Sequence, residues 1–412
     1  MCKFFLIYFT FQGGDMQFLL DKDKLEEHLH AAIGWLTGPG CCHENTPVGE
    51  LGKAMNYREW RGAIRGEYNA AEKNWSCCCP YWHTGQAVKA LVMAADALGK
   101  KELISDAEFS AGFLLANQRE DGLFPAREVR GDEINTSASL ETLDGLFMLA
   151  DVTGNMRYRE AALAALDWVA RNAWMPEKRL FKDIYNSERE EFVFGIVSSQ
   201  NRPLLDDAVF LTGYRLTGNP LYRKIALDTA EHLIELEDPP GNWMSFIPCN
   251  KALGRIHPRH AFWWGLPMLE VYKETGDERF RELFYRSVEW YEKALRRDGG
   301  LFRATYSDFK TDSFGHATSG SACAARCFMA AGCDSGDEKW FRLAERALQF
   351  CCSMQLTRTA DPNLSGVVLE KVLPPDGTDR LPYHVRDLGT IFFIQAASCY
   401  LKLYKTSQEV EK

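Results

Sequence analysis

Along most of the chain apolar residues recur at helical spacing, and the helical runs are of two alternating kinds. In the first kind an apolar run poor in charge stops at a small residue, a glycine and a polar residue: Leu98-Gly99-Lys100, Thr153-Gly154-Asn155, Thr217-Gly218-Asn219, Thr275-Gly276-Asp277 and Ser335-Gly336-Asp337. Glycine takes the left-handed conformation that ends a helix, and Asn or Asp caps the next one. Reading back from each stop predicts inner helices over Tyr81–Leu98, Ser137–Val152, Arg202–Leu216, Arg259–Glu274 and His316–Cys333, with a sixth over His384–Tyr404. The second kind follows each stop and sets a charged face against an apolar stripe, as where Ala226, Ala230 and Leu233 align. It predicts outer helices over 157–171, 221–236, 278–296 and 338–354, and a first one over 24–36.

The stops recur every 55 to 64 residues, the period of helical hairpins that bury their faces against neighbours. Six such hairpins predict an all-α fold, an (α/α)6 barrel or toroid. The expected organisation is an N-terminal extension over 1–23 and a single toroid domain over 24–412, with a long loop over 37–74. Loops such as Asp121-Gly122-Leu123-Phe124 and Gly299-Gly300-Leu301-Phe302 feed the N-termini of the inner helices, so one rim collects these loops and six helix starts.

Polar and aromatic residues concentrate at that rim: Trp82 and His83; Glu141 and Asp144; Arg202, Asp206 and Asp207; Arg259, His260, Trp263 and Trp264; His316; Tyr383, His384 and Arg386. Tryptophan faces stack on the C–H faces of sugar rings, charged groups bond hydroxyls, and arginine pairs with a uronate carboxylate. The expected partner is therefore a small-molecule or oligosaccharide substrate, a uronate among the candidates. The ordinary alternative also stands: acidic residues at helix starts stabilise the helix dipole, and one of two adjacent tryptophans on a helix faces the core. Asp206-Asp207 is not a metal-binding DDxxD motif, because position 210 is Phe.

Charge and cysteine usage narrow the setting. With 48 Lys+Arg against 57 Asp+Glu, a net charge of −9 and no basic run, nucleic acid is excluded as a partner. No apolar stretch reaches the ~18 to 20 residues of a membrane span. Lys3 and the apolar run Phe4–Phe11 form an N-terminus too short and without the cleavage site of a signal peptide, and Met16 is an alternative start. The 13 cysteines include the adjacent sets 41–42, 77–79 and 351–352, a poor disulfide framework that reads as free thiols of a cytoplasmic protein. Cys77, Cys79 and His83 are of the types that hold zinc. Buried apolar thiols are the ordinary reading, and the expectation is no metal and no cofactor.

Repeat and rim together resemble the six-hairpin glycosidase superfamily from about Tyr81 onward, and two branches are similar. In the unsaturated uronyl hydrolases of glycoside hydrolase families 88 and 105, inner helices carry aspartates one repeat apart. Thr142-Leu143-Asp144-Gly145-Leu146-Phe147-Met148 and Leu204-Leu205-Asp206-Asp207 resemble those helices. The resemblance implies a glycoside hydrolase in which Asp144, with Asp206 or Asp207, serves as general acid and base. The other branch is the N-acylglucosamine 2-epimerases, whose histidines on the fourth and sixth inner helices correspond to His260 and His384. Trp263 stands where that family places a Glu partner for the first histidine. Hydrolysis is the favoured expectation, epimerisation or isomerisation the alternative, and a noncatalytic glycan-binding toroid the third.

Overall fold

The computed structural model describes residues 19–128, 131–193, 201–311, 317–370 and 384–410, with His384, Glu409 and Val410 described by their backbone. Its helices, in chain order, are α1 Lys22–Thr37, α2 Gly49–Ala54, α3 Pro80–Leu98, α4 Glu102–Asn117, α5 Thr136–Leu140, α6 Leu143–Thr153, α7 Met156–Asn172, α8 Val209–Thr217, α9 Pro220–Glu235, α10 Met268–Thr275, α11 Glu278–Ala294, α12 Thr318–Ser335, α13 Glu338–Ser353 and α14 Leu388–Val410. Five inner-to-outer hairpins run α3–α4, α6–α7, α8–α9, α10–α11 and α12–α13, and α1 is the outer partner of the sixth inner helix, α14. Because α14 also packs on both α12 and α3, the ring closes. The fold is an (α/α)6 toroid.

The repeated stop has a simple cause. Gly99, Gly154, Gly218, Gly276 and Gly336 end their inner helices with φ between +69° and +72°, where a Cβ is costly. Asn155, Asn219, Asp277 and Asp337 then accept a backbone N–H two residues on and start the outer helix. The hydroxyls of Thr153, Thr217, Thr275 and Ser335 close the junction: each donates to the carbonyl four residues back and accepts the N–H of the capping residue.

The inner helix α3 is buried continuously from Pro80 to Ala95. Glycines permit the closest approach in the ring. A Cβ on Gly145 would lie 2.5 Å from the carbonyl oxygen of Gly85, and one on Gly85 would lie 2.6 Å from the Cα of Thr142, so α3 and α6 touch backbone to backbone.

The structure differs from the sequence expectation at the rim. The expected loop over 37–74 contains α2 and a strand, Gly66–Asn69, that lies between Asn74–Cys77 and His384–Arg386 in a three-stranded antiparallel sheet. Three other small antiparallel sheets join rim loops, among them Trp174–Met175, Leu180–Lys182 and Asn201–Arg202. Inner helices also start later or break. The second is interrupted between Leu140 and Leu143; the third opens with a 3-10 turn Asp206–Ala208; the fourth opens with a π-helical turn Ala261–Gly265. Asp207 and Ala208 both adopt left-handed backbone, φ +51° and +52°, a strained choice for residues with a Cβ.

Candidate active site

Those irregular first turns aim polar side chains into the ring. Glu141 sits at the break between α5 and α6 and is 7% exposed; Asp206, before the left-handed pair, is 4% exposed. Around them stand Glu128, the buried Asp183, Arg202 and Arg259. Asp183 accepts from the Ser137 hydroxyl at 2.9 Å and from Arg202 Nη1 at 3.5 Å. Burial lifts the Asp206 carboxyl to about 7, with Arg202 opposing. Burial lifts the Glu141 carboxyl well above its ordinary value, and the charge of Asp206 adds to it. Each carboxyl so placed disfavours ionisation of the other.

Several buried polar atoms of this cluster have no partner among the described residues: Glu141 Oε2, Asp206 Oδ2, Arg202 Nε, and Nε and Nη1 of Arg259. Unsatisfied buried groups are costly in a folded chain, so their convergence marks a place for a polar ligand.

A second tier lies about a turn further along the inner helices. Lys89 of α3 bridges Asp144 at 2.8 Å and Asp207 at 2.5 Å. Arg326 of α12 faces the same space, a small cavity of about 20 Å³ lined also by Met93, Met148, Arg215 and Glu270 from later turns of the inner helices. Burial pushes Asp144 up despite Lys89; at Asp207 burial pushes the same way but Lys89 and Arg326 outweigh it and hold the carboxyl below its ordinary value. From Arg326 a polar chain runs through Gln395 (2.8 Å) to Gln86 (3.0 Å), which bonds the backbone carbonyl of Glu141 (2.7 Å) and links the tiers.

His83 opens the cup on its other side. Its Nδ1 is 2.8 Å from Asp387 Oδ2, both groups buried, and Trp82 meets the imidazole edge-on with centroids 4.2 Å apart. Burial works against a charged imidazole, but Asp387 outweighs it and keeps His83 above its ordinary value. Arg386 pairs with Glu67. Of the cysteines expected near His83, Cys79 is there, but Cys77 is not: its Sγ lies 3.8 Å from Met55 Sδ, and Cys78 takes its place. Cys77 ends the Asn74–Cys77 strand facing the core, and the next residue in a strand faces the other way. The described cysteines are all free thiols.

The structure does not bring His260 into the cup. It is fully buried, stacked on Trp264 with centroids 4.4 Å apart. Nδ1 faces Cys249 Sγ (3.2 Å) and the Trp243 carbonyl (3.1 Å), and Nε2 faces the Ile247 carbonyl (3.1 Å). Burial, with Arg202 adding, depresses its pKa to about 3. Trp264 is core; Trp263 is 8% exposed under the Arg259 guanidinium, 5.0 Å from its ring. His316 and Tyr383 lie outside the described residues, as does the side chain of His384.

Sequence reasoning missed Glu128, Asp183, Lys89 and Arg326. The last two had a signal: each is the isolated cation within the buried stretch of an inner helix, where an unpaired charge is prohibitive.

Fold and rim together define a six-hairpin toroid enclosing a polar cup. No family model matches the chain, and no curated protein matches it by sequence. Solved structures share its fold. An unsaturated glucuronyl hydrolase specific for heparin superposes with a TM-score of 0.67 at 14% identity, over 93% of this chain and 99% of that one. A D-mannose isomerase gives 0.66 at 12%, over 93% and 98%. The cellobiose 2-epimerase of Spirochaeta thermophila gives 0.67 at 12%, over 94% and 97%. These proteins of the six-hairpin superfamily have the toroid in common with the chain. Among the described residues no helix is long and apolar enough to cross a membrane.

Proposed function

We propose that the protein is a carbohydrate-active enzyme of the cytoplasm, a glycoside hydrolase acting on a uronate-bearing sugar. The observation that carries this reading is the buried Glu141–Asp206 pair beside Arg202 and Arg259, whose unpaired N–H groups suit a carboxylate. Glu141, held protonated by burial and by the charge of Asp206, gives its proton to the departing glycosidic oxygen, which takes the electron pair of the broken C–O bond. Asp206, once ionised, takes a proton from the water whose oxygen joins the sugar carbon. Asp144 and Asp207, offset by Lys89 and Arg326 together, set the charge further along the helices.

Hydrolysis is favoured over an epimerisation that uses His260, because that base needs a ring nitrogen free to meet the sugar. Both nitrogens of His260 face groups of the chain itself. The deciding experiment incubates the protein in deuterated solvent with a panel of unsaturated uronyl disaccharides, aryl glucuronides and free reducing sugars. Release of an aglycone from a uronide is expected. Deuterium entering C2 of a free sugar with no aglycone released would reject the hydrolase in favour of the epimerase.

A further inference from the structure

The three-stranded rim sheet gathers side chains from distant parts of the sequence. Cys78 and Cys79 leave the strand Asn74–Cys77 on one side of Gly66–Asn69, and Asp387 leaves His384–Arg386 on the other. Gly66 fits between them: its carbonyl accepts the Asp387 N–H at 3.1 Å, and a Cβ on it would lie 2.4 Å from the Cys78 nitrogen. Cys79 turns through φ +45° straight into α3, and His83 follows one turn later. The two thiols come to the same side. Their Sγ atoms are 3.9 Å apart, and with a ring nitrogen of His83 they lie within 4.8 Å of one another.

This spacing discriminates between chemistries. Two thiolates on one zinc ion at ~2.3 Å in a tetrahedral arrangement stand about 3.8 Å apart. A disulfide needs about 2.0 Å. His83 is prepared as a ligand, because Asp387 holds Nδ1 at 2.8 Å and leaves Nε2 with its lone pair; a carboxylate behind an imidazole is how metal-bound histidines are oriented. We propose that Cys78, Cys79 and His83 bind a zinc ion, supported by Asp387. Two thiolates and one imidazole leave a fourth position open to water or a sugar oxygen, as in sites that bind exchangeable ligands. Cys78 and Cys79 are half-buried. The inference goes beyond the hydrolase reading and stands or falls without it.

The test uses the full chain, purified with reductant, dialysed and analysed for metals. One zinc per chain is expected, and cobalt(II) in its place should give thiolate-to-cobalt charge-transfer absorption. Cys78→Ser, Cys79→Ser and His83→Gln should each weaken zinc binding more than about 100-fold, and Asp387→Asn about 10- to 100-fold. Cys77→Ser should leave it unchanged. Should a variant fail to fold, the chelator-stripped parent chain decides: added zinc should raise its melting temperature and shield Cys78 and Cys79 from alkylation. Absence of stoichiometric zinc or cobalt, binding indifferent to both cysteine substitutions, or a Cys78–Cys79 disulfide that takes up no metal after reduction would overturn the proposal.

Discussion

Asp206 and Asp207 are neighbours in the chain whose carboxylates belong to different tiers of the cup: Asp206 stands with Glu141 and Arg202, and Asp207 is bound to Lys89. The left-handed backbone at Asp207 and Ala208 makes this division. Strain of this kind costs about 1–3 kcal/mol per residue and survives only where surrounding contacts impose it.

Asp206→Asn should lower kcat on a cleavable uronide about 10²- to 10⁴-fold, the usual loss when a proton-transfer group is removed. Asp207→Asn should act differently, disturbing the pairing of Lys89 and with it the melting temperature. Equal kinetic losses with no change in stability for either variant would contradict the division of labour.

Activity and stability should respond to pH in opposite directions. Asp206 ionises at about 7, so kcat/KM of the wild type should rise as pH increases through about 7, where the base becomes available. In the unfolded chain the same group loses its proton near ~3.9. Between those values the folded state binds more protons, so this group's contribution to stability falls as pH rises through the interval and is constant above it. Melting temperatures measured across the range should show Asp206→Asn gaining on the wild type from acid to neutral pH. A parallel pH dependence of the two proteins would sink the assignment.

Arg259 is nine-tenths buried with two unpaired nitrogens. Replacing a poorly paired buried charge by an apolar group of similar volume is often neutral or stabilising. Arg259→Met should therefore keep or raise the melting temperature while raising KM for a uronide by about tenfold, the equivalent of ~1.4 kcal/mol. A lower melting temperature with unchanged KM would make Arg259 a structural residue.

His260→Gln should cost stability, about 1–3 kcal/mol for the buried partners left unsatisfied, while the folded fraction keeps its turnover. Denaturant unfolding and active-site titration of the same preparation separate the two. Abolished turnover at normal stability would restore the histidine to the chemistry.

Gly145→Ala should destabilise by about 1–3 kcal/mol, because its Cβ would lie 2.5 Å from the Gly85 carbonyl and backbone rather than a side chain must yield. An unchanged unfolding midpoint would show that α3 and α6 can separate freely.

The ring was legible in the sequence because its junctions are local: the Thr153-Gly154-Asn155 stop is built from groups within a few residues of one another. The first turns of the inner helices were not. Nothing near Asp207 in sequence demands a positive φ, and its partner Lys89 lies on another helix. Likewise the choice of Cys78 over Cys77 depends on the phase of a strand whose partner is Gly66–Asn69, and the wedging of His260 depends on Trp243, Ile247 and Cys249 in a loop.

Several bonds join the two ends of the sequence, and one of them belongs to the site: His83, on the first inner helix, meets Asp387 at the start of the last, 304 residues later. During synthesis the early hairpins can stack as each emerges, but His83 acquires its partner only when α14 docks between α12 and α3. A ribosome that stalls before that point releases an arc with most of its packing and no finished cup. The constellation around His83 is thus complete only when the last inner helix is in place.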